Sequence, residues 1–281
     1  MDAARPIDEN RHRVETLALA LGAFALVFIL WQSSGAGSVL YPFRLLVTFV
    51  HESGHGLAAI LTGGHFQNFQ VFDNGSGVAR TSGGNSLFIL PMGYLGAALF
   101  GAIILFAANR VRAVQNVALV AGVYFLVCAI LFTGEWAVLI GAGVAILAWL
   151  LAPRTPNPRL LRLIAVIALG VTLFIVRSDL ALLIGLGAGT ILLALASFGT
   201  PSAIRFCLDA LAFATGLNAC DDLLYLWSNQ AARVGTTPND ALAMAQYTNT
   251  PTWLWIVLWS GLAVAIMAAA VYYGLLREHQ P

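Results

Sequence analysis

Three ionisable side chains, His51, Glu52 and His55, stand close together inside an apolar segment of the chain. His51 and His55 are four residues apart, so on a helix they lie one turn apart on the same face and can bind one metal ion. Glu52 is rotated by about 100° from His51, because a helical turn takes 3.6 residues. It can therefore reach a water at the metal rather than the metal itself. The spacing predicts a zinc site with Glu52 as the general base of a hydrolysis.

The flanks of this motif are apolar on both sides, over residues 45–50 and 57–61. Ionisable groups are costly in such surroundings, which favours a functional explanation over a structural one. A single histidine there would more often be an ordinary core residue. A pair at this spacing with a glutamate between them favours a metal site.

The composition excludes a soluble globular domain. Of the 281 residues, 59% are hydrophobic and only 10% are charged, and the mean hydropathy is +0.84. The net charge of +1 comes without a basic patch interleaved with aromatic residues, so we expect no nucleic-acid partner. The 3 cysteines show no paired spacing, which excludes a cysteine zinc site and a disulfide framework.

Apolar stretches long enough for membrane helices recur along the whole chain, since a span needs about 20 residues. The sequence predicts an all-α polytopic membrane protein with about eight or nine transmembrane helices, forming a single integral membrane domain over 1–281. The first stretch is either a retained span or a cleaved signal segment, and the membrane orientation stays open. The candidate spans are 14–31, 39–63 (with the histidine motif), 86–108, 113–134, 136–152, 160–176, 180–198, 203–227 and 252–276.

The segment 64–85 differs from the rest of the chain. Residues 66–72 alternate loosely, and the run from Asp73 to Gly77 is a strong turn signal before a second short stretch. This pattern predicts a short β-hairpin or re-entrant loop, with a plain solvent loop as the alternative. An exposed strand edge beside a zinc site could hold a substrate in an extended conformation by strand addition.

Catalytic zinc usually has three protein ligands and an open position for water, so a third ligand must come from elsewhere. Asp222 shares a helix face with Asn218, whose amide could orient the carboxylate. Asp209 lies four residues after Arg205, which favours a local ion pair, and Asp240 reads as an acid at a helix N-terminus. From the residues alone, four aspartates remain open as the ligand: Asp209, Asp221, Asp222 and Asp240.

The stretch from His51 to Ala59, followed by Thr62-Gly63-Gly64, resembles the site-2 protease family of intramembrane zinc metalloproteases. The stretch from Gly83 to Asn85 and on into 91–96 looks like the family's next helix, and residues 239–241 and 250–255 look like a bacterial, multi-span branch of the family. The resemblance implies one Zn²⁺ per chain bound by His51 and His55, with Glu52 activating the water. It also implies an aspartate ligand on a later helix, over about 203–227. We assign Asp222 to this role, ahead of Asp221, Asp240 and Asp209, although the family's Leu-Asp-Gly element is absent.

The expected function is that of an intramembrane zinc metalloendopeptidase. Its partners would be a transmembrane protein substrate and the lipid bilayer, in a multi-pass protein of the bacterial plasma membrane. The oligomeric state stays open. The alternative is a membrane protein that binds zinc without cleaving peptides, either a pseudoprotease scaffold or a metal transporter. Uncharged spans such as 86–108 disfavour a transport path.

Overall fold

The computed structural model describes residues 5–32, 37–133, 136–175 and 179–277, and this part of the chain is mostly helical. Its helices are α1 (Arg5–Gln32), α2 (Gly37–Leu61), α3 (Ser86–Ile89), α4 (Tyr94–Arg110), α5 (Val114–Thr133), α6 (Trp136–Leu151), α7 (Pro158–Ile175), α8 (Leu180–Phe198), α9 (Pro201–Ser228), α10 (Asp240–Thr248) and α11 (Thr252–Val271). Helix α11 continues as a π-helical turn over Tyr272–Leu276. The strands are β1 (His65–Val71), β2 (Gly77–Ser82), β3 (Arg233–Val234) and β4 (Thr237–Pro238), which form two antiparallel pairs.

The helical membrane architecture is confirmed, but the expected count of eight or nine spans is not. Within the described residues, 4 helices are long and apolar enough to cross a membrane, or up to 5 if a bent pair counts as one span. The number expected from the sequence is higher because it includes every apolar stretch, whatever the length and polarity of the helix that it forms. In the structure α6 has only 16 residues, and α2 carries Arg44 and the histidine motif within its 25 residues. The qualifying helices are Val114–Phe132, Leu180–Phe198, Pro201–Ser228 and Thr252–Leu276, with the bent pair Ser86–Met92 and Tyr94–Arg110.

The helices pack around α2, which carries the motif. Helix α4 packs on α9 and α11, α5 packs on α8, and α1 covers α9. Helix α2 contacts α4, α8 and both strands of the first hairpin. Helices α6 and α7 pack on each other and form a separate apolar cluster with α5 and α8. The motif helix is therefore surrounded by other elements of the chain, as helices with polar side chains in a membrane must be.

The predicted β-hairpin after the motif helix is confirmed. Helix α2 ends where Gly63 adopts a positive φ of 79°, and the N–H of Gly64 donates to the Ala59 carbonyl over 2.8 Å. This is the usual glycine termination of a helix. Strand β1 then pairs with β2, with Phe69 opposite Ala79. The Phe69 ring packs 5.0 Å from the Phe49 ring of α2, measured between centroids, so the hairpin lies against the motif helix.

Helices α2 and α4 approach each other closely at glycines. The chain bends by 58° between Ser86–Met92 and Tyr94–Arg110, and this bend touches α2 at Gly54. A Cβ on Gly54 would collide with the Met92 carbonyl. A Cβ on Gly96 would lie 3.4 Å from the Gly54 Cα, which is ordinary contact. Small residues let two helix backbones meet in this way, and the contact brings the bend to the histidines.

Candidate active site

The structure brings His51 and His55 together with a carboxylate. Their Nε2 atoms lie 3.2 Å apart. Oδ2 of Asp240 lies 3.0 Å from Nε2 of His51 and 3.3 Å from Nε2 of His55. Ligand atoms around a tetrahedral zinc ion, at bond lengths of about 2.0–2.2 Å, are about 3.3–3.5 Å apart. The three atoms match that spacing within a few tenths of an ångström. Among the described residues, His51, His55 and Asp240 are the one set of three or more His, Cys, Asp or Glu side chains that is close enough together to hold a metal ion.

A hydrogen bond fixes the orientation of the His55 ring. Its Nδ1 lies 2.8 Å from the Ile89 carbonyl oxygen, in a buried position. Because a carbonyl only accepts, Nδ1 carries the proton of this bond and Nε2 keeps its lone pair for a metal. The His51 ring is held differently, edge-on to the Tyr94 ring at 4.5 Å between centroids. Both rings therefore direct Nε2 toward the Asp240 carboxylate.

Gly93 borders the space between the two histidines. A Cβ placed on Gly93 would collide with Nε2 of His51 and would lie 2.6 Å from Nε2 of His55. A side chain there would press on both of the nitrogens that face Asp240. A glycine at the bend before α4 therefore leaves room that any side chain would fill. The residues present fit a bound zinc ion, on the grounds of donor type, spacing and free volume.

Asp240 comes from a segment that lies between the helices α9 and α11. It is the first residue of α10, and the preceding Asn239 caps this helix, its Oδ1 accepting from the Leu242 N–H at 3.0 Å. The Asn239 amide also donates to the carbonyls of Gln230 and Ala232, over 3.0 and 2.9 Å. One side chain thus connects the start of α10 to the residues that lead into β3. Asn239 positions the carboxylate.

The electrostatics of Asp240 favour its ionised form. Burial raises the pKa of this carboxyl, but the neighbouring His55 and His51 oppose burial by charge and hydrogen bonding. The net effect holds the pKa well below its usual range. Asp240 is therefore a carboxylate at neutral pH, and this is the form that binds zinc.

The structure places Asp240 beside the histidines, in the position that the sequence analysis assigns to Asp222. Asp222 lines the same cavity, but its Oδ2 accepts a hydrogen bond from the Asn218 amide at 2.6 Å. The helix-face relation expected for this pair is present. Asp221 is exposed. Asp209 is fully buried elsewhere in the bundle, where its Oδ1 accepts from the Asn109 amide at 2.7 Å.

Glu52 is buried beside the ligand group, with 4% of its surface exposed. Strand β2 covers it: the backbone of Ala79 lies beside its carboxylate, and a Cβ on Gly77 would lie 2.5 Å from its Oε1. Thr48, one turn earlier on α2, donates to the Gly75 carbonyl of the hairpin turn at 2.6 Å. These contacts hold the glutamate against the first hairpin.

The site opens into a cavity of about 710 Å³ between α2, the two hairpins, the end of α9 and α10. Both motif histidines and Glu52 line it, together with Asp240 and the strand residues 77–79. A cavity of this size accommodates a peptide segment beside the ligand group. The cavity is therefore lined by the potential metal ligands, by the carboxylate of Glu52 and by the edge of β2.

The fold and site define a helical membrane protein with a candidate metal centre in a partly enclosed cavity. Two stretches of the chain, residues 19–165 and 137–270, match the family model described as Peptidase M50B-like. The chain therefore belongs to the peptidase M50B-like family, and the resemblance to site-2 proteases is confirmed. Comparison with curated proteins and comparison with solved structures give no match.

Sequence reasoning missed Gly93 and Asn239 as parts of the site. Gly93 carries no chemistry of its own, and only the approach of α4 to α2 reveals its role. The Asn-Asp pair at residues 239–240 did carry a signal, since asparagine is a preferred helix N-cap. A helix N-cap signal does not predict that Asp240 contacts the histidines of α2.

We expect Asp240→Asn to lower zinc affinity by more than about 100-fold, because loss of an outer-shell partner alone costs about 10–100-fold. The substitution keeps the size of the side chain. Zinc content of the purified protein, measured by mass spectrometry after equilibration with a competing chelator, gives the result. Asp222→Asn is the matched control and should retain zinc. Loss of zinc in Asp222→Asn with retention in Asp240→Asn would reverse our assignment.

Gly93→Ala should also abolish zinc binding, since the added methyl occupies the space between the two histidine nitrogens. Gly96→Ala is the matched control, because a methyl group at this position would make only ordinary van der Waals contacts. Zinc content and elution as a monodisperse peak in detergent should both be normal for Gly96→Ala. Normal zinc content in Gly93→Ala would show that the metal does not lie against this glycine.

Proposed function

We propose that the chain is an intramembrane zinc metalloendopeptidase that cleaves a transmembrane protein substrate within the membrane of a bacterial cell. The observation that carries the proposal is the convergence of the Asp240 carboxylate with His51 and His55. Membership of a peptidase family supports the reaction class. The apolar helices support the membrane setting.

His51, His55 and Asp240 would hold one zinc ion through two nitrogens and one oxygen, a ligand set that suits catalytic zinc. When bound there, zinc supplies a Lewis acid that polarises a carbonyl and lowers the pKa of water to about 7. With three protein ligands, one coordination position is left for water or substrate. The assignment of Asp222 to this set is replaced by Asp240.

Glu52 is the proposed general base. It follows His51 directly on α2, so its carboxylate is offset from the ligand atoms and free to accept a proton. It would take a proton from the attacking water and pass it to the nitrogen of the leaving amine as the C–N bond breaks. The Ala79 backbone lies beside the carboxylate, and a carboxylate with two oxygens has acceptor capacity for that proton.

The outer edge of β2 is the proposed substrate-holding surface. Within the described part of the chain, strand β2 pairs with β1 alone, and its residues Gly77, Val78 and Ala79 line the cavity. An extended peptide could hydrogen-bond this edge and present its backbone to Glu52. A transmembrane helix has its amides in internal hydrogen bonds, so the substrate must unwind locally before it binds there.

Glu52→Gln should retain zinc and lose cleavage of a membrane-tethered reporter by at least about 100-fold, because general-base catalysis contributes roughly 10²–10⁴. The amide has the same shape but cannot accept the proton. Cleavage is followed by immunoblot in proteoliposomes, with zinc content measured in the same preparation. A zinc chelator should stop the wild-type reaction, and added zinc should restore it.

Two outcomes would contradict the proposal. Full cleavage by Glu52→Gln would remove this residue from the reaction. A wild-type protein that binds zinc but cleaves none of a panel of transmembrane reporters would favour the alternative, a scaffold without peptidase activity. Zinc uptake into sealed proteoliposomes measures the remaining alternative of metal transport, for which we expect no signal above protein-free vesicles.

A further inference from the structure

We propose that the hydroxyl group of Tyr94 is a catalytic group that donates a hydrogen bond to the oxygen of the scissile carbonyl as it becomes negatively charged. This inference rests on the proposed function. It adds an oxyanion-stabilising donor to the base and ligands already assigned.

Tyr94 follows Gly93 at the bend before α4, and this places its ring against the ligand group. The ring stands edge-on to the His51 ring at an interplanar angle of 82°. On another side it meets Trp259 of α11, at 6.2 Å between centroids. Only 7% of Tyr94 is exposed, and it lines the cavity that contains Glu52 and Asp240.

Among the residues that the structure describes, no hydrogen bond to the Tyr94 hydroxyl is present. This oxygen is not one of the fully buried atoms without a partner, and Tyr94 lines the cavity, so its hydroxyl is open to the cavity. A phenol hydroxyl can donate one hydrogen bond to a group bound there. By comparison, the hydroxyl of Tyr124 of α5 lies near the side chains of Ser53 and Cys128. The Tyr94 hydroxyl therefore has a donor available to a group bound in the cavity.

The other buried polar residues lining the cavity do not supply a donor. Glu52 is a carboxylate, and the Nδ1 proton of His55 is used by the Ile89 carbonyl. The carboxylates of Asp222 and Asp240 add further negative charge around the same space. A carbonyl oxygen that gains charge there would be repelled by these groups. The neutral phenol of Tyr94 offers an uncommitted donor in this part of the cavity.

The step balances as follows. The water oxygen forms a bond to the carbonyl carbon, its proton passes to Glu52, and the electron pair of the C=O π bond moves to the carbonyl oxygen. Tyr94 donates a hydrogen bond to that oxygen without losing its proton. The pair then re-forms the C=O bond while the C–N bond breaks, and Glu52 returns the proton to the nitrogen.

Tyr94→Phe tests the inference, because it removes the hydroxyl and keeps the ring contacts with His51 and Trp259. We expect kcat for reporter cleavage to fall about 100-fold, since loss of one oxyanion donor costs about 10²–10³ in kcat. Zinc content and KM should stay unchanged. The affinity for a peptide carrying a phosphinate in place of the cleaved bond should fall by about the same factor as kcat/KM.

Tyr124→Phe is the matched control, a buried hydroxyl lost outside the cavity, and should keep kcat within about twofold. Normal kcat in Tyr94→Phe would overturn the inference and leave the proposed function intact. Parallel loss of zinc and activity would also overturn it, because Tyr94 would then only hold His51 in place. An inactive wild type would instead overturn the proposed function, and the inference with it.

Discussion

The contact between the Asp240 carboxylate and the two histidines of α2 is the interaction on which the candidate site depends. It joins residues 189 positions apart in the chain and ties α10, a short helix between α9 and α11, to the motif helix. A partly buried carboxylate is costly without a charged or hydrogen-bonded partner. The pair of histidine nitrogens meets that need, and a zinc ion between the three atoms would meet it more fully.

The elements around this contact determine how much space is left between the three side chains and how well they are covered. Gly54 and Gly93 let the bend before α4 reach α2, so that no side chain fills the space between the histidines. Strand β2 covers Glu52 from the opposite direction. The Asn239 side chain fixes the start of α10 and thereby the place of Asp240. Each element contributes geometry rather than chemistry, and the reactive groups are few.

Local rules predicted those features of the site that depend on neighbours in sequence. The i, i+4 spacing placed His51 and His55 on one face, and the turn after Val71 predicted the first hairpin. The same kind of rule predicted the contact of Asn218 with Asp222, which is present. It could not tell that Asp222 would stay with its own helix. The choice of Asp240 is set by the packing of α10 on the rest of the fold, and no spacing within the sequence encodes it.

The position of the bound metal tests the account most directly. Crystals of the purified protein, with diffraction recorded on both sides of the zinc absorption edge, would locate the ion by its anomalous signal. We predict one peak per chain within about 2.0–2.2 Å of Nε2 of His51, Nε2 of His55 and a carboxylate oxygen of Asp240. A zinc peak bound by Asp222 in place of Asp240, or no peak between the two histidines of zinc-loaded protein, would contradict it.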